Sequence, residues 1–183
     1  MPERIQIKRK IVLLGDPAVG KTSIIKKYVL DVFNDQYLTT LGTKITSKKI
    51  IYQDTKNDRE IELTLMIWDI MGQREYKLIH ETAYQGSKGA IMVCDLTRKE
   101  TLHNLTAWTT SLFNITQNVP VIFLGNKNDL IDQLQFGDSE LADVSTAYRA
   151  HFFVTSAKTG INVENAFKEL GKKMLIEQGI LEE

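Results

Sequence analysis

An eight-residue segment near the amino end, Gly15 to Thr22, matches the phosphate-binding pattern G-x-x-x-x-G-K-[ST]. Its glycines let the backbone approach a phosphate, its N–H groups turn toward the anion, and the following helix points its positive end there. In such loops the lysine ammonium lies over the terminal phosphates and the hydroxyl coordinates Mg²⁺. We therefore predict nucleotide contacts from the whole loop and the next residue, namely Gly15, Asp16, Pro17, Ala18, Val19, Gly20, Lys21, Thr22 and Ser23.

A second polar segment, Asn126-Lys127-Asn128-Asp129, follows the apolar run 121–124, where a loop at the carboxyl end of a parallel strand would approach a ligand. The Asp129 carboxylate can accept hydrogen bonds from the N1–H and the 2-amino group of guanine. Adenine lacks both donors and would leave a shielded carboxylate unpaired, which costs a few kcal/mol. Asn126 can bond the opposite edge of the base, and the Lys127 stem can cover the ring.

A third segment, Thr155-Ser156-Ala157-Lys158, follows another apolar run. We expect Ser156, Ala157 and Lys158 to contribute a backbone N–H for the guanine oxygen and a second lysine stem over the base. Alone, either polar segment would be an ordinary turn. Downstream of a phosphate loop, the two together indicate a guanine nucleotide.

These segments and two more stand in the order and at the spacing of the Ras superfamily of small GTPases, and the chain resembles its Rab branch over residues 7 to 178. The two further segments are Thr39-Thr40-Leu41-Gly42, which resembles switch I, and Trp68-Asp69-Ile70-Met71-Gly72-Gln73, which resembles switch II. The resemblance implies that Thr40 binds Mg²⁺ and senses the γ-phosphate, and that Asp69 holds the same Mg²⁺ through water. With Thr22, these residues make up the expected metal site.

The resemblance also implies the catalytic residues. Gly72 would offer its N–H to the γ-phosphate, Gln73 would orient the attacking water, and Lys21 would stabilise phosphate charge. Phe33 resembles the aromatic that packs against guanine, and Tyr37 the tyrosine that covers the phosphates. The implied ligands are GTP and GDP with Mg²⁺.

Three positions in switch II depart from the usual Rab reading Asp-Thr-Ala-Gly-Gln-Glu, namely Ile70, Met71 and Arg74. The stretches 72–75 and 95–99 look similar to the septation-initiation GTPases near the Rab branch. Pro17 is a further departure, since many relatives have glycine or serine there, and proline fixes φ and lacks an N–H. We hypothesise that its ring fills space needed by an activator's arginine and that the chain hydrolyses GTP slowly alone.

The expected reaction converts GTP and water to GDP and phosphate without a covalent intermediate, at about 10⁻⁴ to 10⁻² per second in the absence of an arginine finger. Such a protein is a switch that recruits effectors in its GTP form, in membrane traffic or cell-division signalling. Its effectors, exchange factors and activating proteins would bind through switches I and II, with Leu38, Leu41, Ile70 and Met71 as candidate contacts. One alternative is a binding module that keeps GTP without hydrolysing it. Another is a nucleotide kinase or an ATPase, and the guanine-type segment 126–129 argues against it.

The composition is that of an ordinary globular domain. The 183 residues contain 23 basic and 23 acidic side chains, which gives no drive toward nucleic acid or an anionic membrane. Cys94, the only cysteine, stands in an apolar run and reads as a buried small residue, which fits a cytoplasmic location. The last four residues, 180–183, offer no cysteine for prenylation, which argues against a lipid anchor. A peripheral place at membranes is the alternative to a purely cytoplasmic one.

Apolar strand-like runs alternate with helical patterns, which predicts an α/β fold: one G domain with a core of about residues 7–178 and a mixed, mostly parallel six-stranded sheet covered by helices on both faces. We expect a buried first strand at 11–14, a helix at about 21–30, a hairpin of 44–54 and 60–68, and buried strands at 90–94, 119–124 and 152–154. One helix would carry the apolar stripe Leu102, Leu105, Trp108 and Leu112. The last helix would follow Asn162 as its N-cap.

Overall fold

The computed structural model describes residues 3–36, 38–73 and 77–182. Its centre is a six-stranded sheet in the order β2-β3-β1-β4-β5-β6. The strands are β1 Glu3–Leu14, β2 Thr43–Asp54, β3 Arg59–Ile70, β4 Gly89–Asp95, β5 Val121–Asn126 and β6 His151–Val154. Every described pairing is parallel except that of β2 with β3. The predicted α/β class and mixed, mostly parallel sheet are confirmed.

Six α-helices lie in the described part of the chain and cover both faces of the sheet. They are α1 Lys21–Leu30, α2 Lys77–Tyr84, α3 Lys99–His103, α4 Leu105–Thr116, α5 Asp138–Thr146 and α6 Val163–Glu177. One apolar core lies between the sheet and helices α1 and α6, where Phe167 is fully buried. The other lies under α2 to α5 and contains Trp108, Cys94 and Phe123. Trp108 and Phe167 are both core residues, and the prediction that Cys94 is buried is confirmed.

The first strand is longer than the predicted range 11–14. Residues 3–10 carry many charges and do not read as a buried strand, yet β1 pairs with β3 from Glu3 to Leu13. The Arg4 guanidinium lies 3.2 Å from a carboxylate oxygen of Glu60 and also donates to Glu62, which Lys49 pairs with at 2.8 Å. These ion pairs between neighbouring strands extend β1, and the local sequence of residues 3–10 cannot reveal them.

The structure corrects one helix prediction and confirms the position, but not the capping bond, of a second. The apolar stripe 102–112 lies on two helices, because α3 ends and α4 begins at Asn104. Asn104 keeps helical backbone angles (φ −72°, ψ −15°), so the stripe stays continuous across the break. Asn162 does stand at the N-cap of α6, but its side chain makes no capping bond and instead donates to the Val154 carbonyl at 2.9 Å.

The loops that the sequence singles out lie at the carboxyl ends of the strands. The phosphate loop leaves β1, Asp95 ends β4, and Asn126 is the last residue of β5 rather than a loop residue. The carboxyl ends of parallel strands form one edge of a sheet, so these segments converge there. None of the helices in the described part of the chain has the length and apolarity needed to cross a bilayer.

Candidate nucleotide-binding site

A pocket of about 310 Å³ lies at this edge of the sheet. Most of the residues that the sequence assigns to nucleotide binding line it, namely Pro17, Ala18, Gly20, Lys21, Thr22, Ser23, Phe33, Thr40, Gly72, Gln73, Asn126, Lys127, Asp129, Ala157 and Lys158. Five other assigned residues contact members of this lining from outside it: Gly15, Asp16, Val19, Asp69 and Ser156. Tyr37 and Arg74 lie outside the described residues.

The phosphate loop has the left-handed backbone that its glycines permit. Gly20 has φ 103° immediately before α1, a conformation that a side chain would strain. Lys21 is buried, and its Nζ donates to the carbonyls of Gly15 at 2.7 Å and Asp16 at 2.9 Å. Burial lowers the pKa of Lys21 to about 8, although Asp69 and Asp16 act to raise it. The loop therefore places a positive group at the N-terminus of α1.

The sequence predicts nucleotide contacts from the whole loop, but not all of its residues face the pocket. The Asp16 side chain turns toward the start of α4, where its oxygens accept bonds from Asn104 Nδ2 at 2.6 Å and Trp108 Nε1 at 2.8 Å. The Val19 carbonyl accepts a bond from Asn126 Nδ2 at 2.9 Å. These two residues therefore hold the shape of the loop rather than line the pocket.

The three predicted metal ligands meet at one point. The Thr22 hydroxyl lies 2.8 Å from that of Thr40 and donates to Asp69 Oδ2 at 2.5 Å. The other oxygen, Oδ1, is buried and has no hydrogen-bond partner among the described residues. Burial raises the pKa of Asp69, against the bond from Thr22 and the charge of Lys21. A buried carboxylate oxygen that has no hydrogen-bond partner among the described residues is a suitable ligand for a cation.

The donor set suits Mg²⁺ in particular. Mg²⁺ is usually held by one or two carboxylates together with substrate phosphates and water, rather than by a full protein cage. Within residues 3–36, 38–73 and 77–182, no cluster of three His, Cys, Asp or Glu side chains could hold a metal. One carboxylate and two hydroxyls beside a phosphate loop match a Mg²⁺ site that is completed by substrate phosphates and water.

The far end of the pocket carries Asp129. Its Oδ1 accepts a bond from the Ser156 hydroxyl at 2.7 Å, and the Thr159 N–H donates to the same hydroxyl at 3.1 Å. Ser156 is fully buried, so it fixes the direction of the carboxylate. Phe33 lies on the same pocket with 37% of its surface exposed. The Lys158 ammonium is 3.8 Å from the Asp35 carboxylate.

Asn126 differs most from its expected role. Both ends of its amide bond to protein: Nδ2 donates to Val19, and Oδ1 accepts from the Thr155 hydroxyl and the Ala157 N–H, each at 3.2 Å. This buried side chain therefore joins the phosphate loop to segment 155–158. Its contact with the base remains a prediction.

Switch II begins in contact with both the phosphate loop and switch I. A Cβ on Gly72 would lie 2.5 Å from the carbonyl carbon and 2.7 Å from the oxygen of Asp16, so a side chain does not fit. The Met71 N–H donates to the Gly42 carbonyl at 3.4 Å. Ile70 and Met71 are buried, which corrects their expectation as partner contacts.

Asp95 and Arg98, two charged residues beside the site, were not identified from the sequence. Arg98 donates to the Pro17 carbonyl at 2.8 Å and to Asp95 at 3.1 Å, and Lys127 contacts the same carboxylate at 2.7 Å. Asp95 thus links the base side of the pocket to the phosphate loop. In the sequence, Asp95 can be noticed as an acidic residue directly after the apolar run 90–94. Nothing in the sequence marks Arg98.

The comparisons with known proteins agree with this geometry. The model of the Ras family matches residues 10–176. The chain is 34% identical to the human Ras-related protein Rab-22A over 166 residues, which cover 90% of this chain and 82% of that protein. It is 31% identical to Ras-related protein Rab-13 from Rattus norvegicus over 171 residues, covering 93% and 81%, and 32% identical to RABA4a from Arabidopsis thaliana, covering 90% and 71%. The chain therefore belongs to the Ras family and is a Rab-like small GTPase.

Proposed function

We propose that this chain binds GTP and GDP with Mg²⁺, hydrolyses GTP slowly, and recruits effectors in its GTP form. The observation that carries the proposal is the meeting of Thr40, Thr22 and Asp69 within hydrogen-bond distance. It joins switch I, the phosphate loop and the end of β3 at the point where Mg²⁺ would sit. A segment held through the metal and the γ-phosphate is released when that phosphate leaves.

In this proposal Lys21 stabilises charge on the β- and γ-phosphates, Gly72 donates its N–H to the γ-phosphate, and Gln73 orients the attacking water. Thr22, Thr40 and Asp69 would hold Mg²⁺, which supplies further charge stabilisation. The Arg98 guanidinium donates to Pro17 and Asp95, so we do not assign it as an arginine finger supplied by the chain itself. We expect a rate of about 10⁻⁴ to 10⁻² per second without an activator.

Guanine selectivity is assigned to Asp129, which Ser156 holds in place. The Lys127 and Lys158 stems and Phe33 would enclose the base. Loss of the carboxylate removes two hydrogen bonds to guanine, and we expect about a 10²-fold loss of preference for GTP over ATP in Asp129→Ala. Asp132→Ala, an exposed residue three positions further along, is the matched control.

The partners proposed for this protein are effectors, exchange factors and activating proteins at the switches. Leu38 and Leu41 are exposed on the switch I side, and Leu78 and Ile79 are exposed on α2. We propose these four exposed apolar side chains as contacts for the partners. We place the protein in the cytoplasm with peripheral association at membranes, in membrane traffic or cell-division signalling.

The decisive experiment measures phosphate released from GTP and from ATP by purified protein with Mg²⁺ and after its chelation. Slow release from GTP alone, dependent on Mg²⁺, supports the proposal. Equal release from ATP overturns the assignment of guanine. GTP that stays bound and intact identifies instead a binding module that does not hydrolyse it.

Pro17 has its own test. We propose that its ring obstructs an activator's arginine, since it lines the pocket and its carbonyl is fixed by Arg98. Single-turnover hydrolysis of wild type and Pro17→Gly is compared with and without a cognate activator. The steric argument fails when the activator accelerates both proteins by the same large factor.

A further inference from the structure

His80 is a buried residue of α2 that lies beneath the start of switch II. Only 4% of its surface is exposed, and its Nε2 lies 3.1 Å from the Met71 carbonyl oxygen. Because a carbonyl can only accept, Nε2 carries the proton and donates it. The histidine thus binds the backbone of the residue directly before Gly72.

Aromatic neighbours fix the imidazole in this position. Its centroid lies 5.3 Å from the Trp108 ring and 6.1 Å from the Tyr84 ring. Trp108 in turn donates to the Asp16 side chain at 2.8 Å. A continuous set of contacts therefore runs from Met71 through His80 and Trp108 to the phosphate loop.

The contact with Met71 determines where the next N–H points. The Met71–Gly72 peptide is trans and planar, so its C=O and its N–H project to opposite sides of the chain. His80 holds the oxygen on the α2 side. Gly72 itself packs against the backbone of Asp16 and lines the nucleotide pocket. Because His80 on α2 holds the carbonyl oxygen, the N–H of the same trans peptide points away from α2.

We propose that His80 is a positioning residue, which holds the Met71–Gly72 peptide so that the Gly72 N–H meets the γ-phosphate. The inference rests on the proposed function, in which that N–H is a γ-phosphate contact. His80 stabilises the GTP form and does little for the GDP form, because GDP has no γ-phosphate to meet. A role in packing alone would affect both forms equally.

Two substitutions separate the hydrogen bond from the packing. His80→Phe keeps a ring against Trp108 and Tyr84 but removes the donor. His80→Gln places an amide N–H near the position of Nε2. His103→Phe, on the exposed face of α3, is the control for the histidine-to-phenylalanine change.

The readouts are the dissociation rates of a fluorescent non-hydrolysable GTP analogue and of fluorescent GDP, together with single-turnover hydrolysis of GTP. His80→Phe should raise the dissociation rate of the analogue relative to GDP by about 3- to 10-fold, the effect of one lost hydrogen bond, and slow hydrolysis by a similar factor. His80→Gln should recover to within about twofold of wild type. Equal effects of His80→Phe on both nucleotides, or none, would overturn the inference.

A spectroscopic measurement on the wild type does not depend on whether a variant folds. The nitrogen chemical shifts of ¹⁵N-labelled histidine report which ring nitrogen of His80 carries a proton. A protonated Nε2 in the GTP-analogue complex supports the inference, and an unprotonated Nε2 overturns it. A wild type whose Gly72 amide resonance is the same with GDP and with the GTP analogue overturns the proposed function as well. If the Gly72 amide resonance of the wild type differs between GDP and the GTP analogue, and His80→Phe shows the same difference, the inference is overturned and the proposed function stands.

Discussion

Gly72 lies so close to the phosphate loop that an alanine there must move switch II outward. The added Cβ would lie 2.5 Å from the carbonyl carbon of Asp16, and ordinary contact begins at about 3.4 Å. The atoms it meets are backbone, which cannot turn aside like a flexible side chain. Gly72→Ala therefore requires a displacement of about 1 Å.

Such a displacement removes the proposed bond to the γ-phosphate. An N–H···O distance of about 2.9 Å would become about 3.9 Å, beyond the range of a hydrogen bond. A hydrogen bond to a charged acceptor contributes about 1.5–3 kcal/mol. Gly72→Ala should therefore lower affinity for a GTP analogue relative to GDP by about 10- to 150-fold.

The assay measures the dissociation constants of both nucleotides with Mg²⁺, and single-turnover hydrolysis of GTP. Gly137→Ala is the matched control, because a Cβ there meets no atom within 4 Å and its φ of −149° suits any residue. Thermal unfolding of the GDP complexes checks that both variants fold. If Gly72→Ala keeps the wild-type ratio of the two affinities, Gly72 is not a γ-phosphate contact and the steric reasoning is wrong.

Three further predictions concern buried groups around the site. Trp108→Phe removes a donor to the Asp16 carboxylate and should lower the free energy of unfolding by about 2 kcal/mol in urea denaturation; an unchanged value would contradict this. Burial raises the pKa of Asp95, but bonds from Lys127 and Thr97 outweigh it and hold this pKa below the ordinary 3.8. The charged form therefore stabilises the fold above about pH 4, and that stability is lost as the pH falls through the lower folded-state pKa, so Asp95→Asn should show a shallower decline in urea stability from pH 6 to pH 3 than wild type. Burial raises the pKa of the Cys94 thiol to about 12, so native protein should resist alkylation at pH 8 while urea-unfolded protein reacts; rapid native labelling would refute the burial.

The local sequence was sufficient for the parts of the site whose chemistry depends on neighbouring residues. A strand, a glycine-rich loop and a helix start follow one another within residues 11–30, so the phosphate loop could be located from spacing alone. The hairpin 43–70 follows likewise from alternating side chains around a polar turn. Asp129 is proposed as the guanine contact on similar local grounds, because it follows a buried strand in a parallel sheet.

Contacts between distant segments were decided by the tertiary structure. The extension of β1 depends on Arg4 meeting Glu60 and Glu62, which are more than 50 residues away in the chain. Asp16 reads as a phosphate-loop residue in sequence, but Trp108, 92 residues later, turns its side chain out of the pocket. Both outcomes require strands and helices to pack before the side chains can meet.

His80 is the clearest example of a residue whose contacts depend on the tertiary structure and not on the local sequence. In sequence it is one histidine on a short helix, with no motif around it. Its role is inferred from the fold, which buries it beside Trp108 and brings its Nε2 to the Met71 carbonyl. The sequence by itself identified the segments that we propose to meet a guanine nucleotide, because motif chemistry is local. Only the tertiary structure decided which backbone groups those residues hold in place, because a hydrogen bond forms only where packing brings donor and acceptor within about 3 Å.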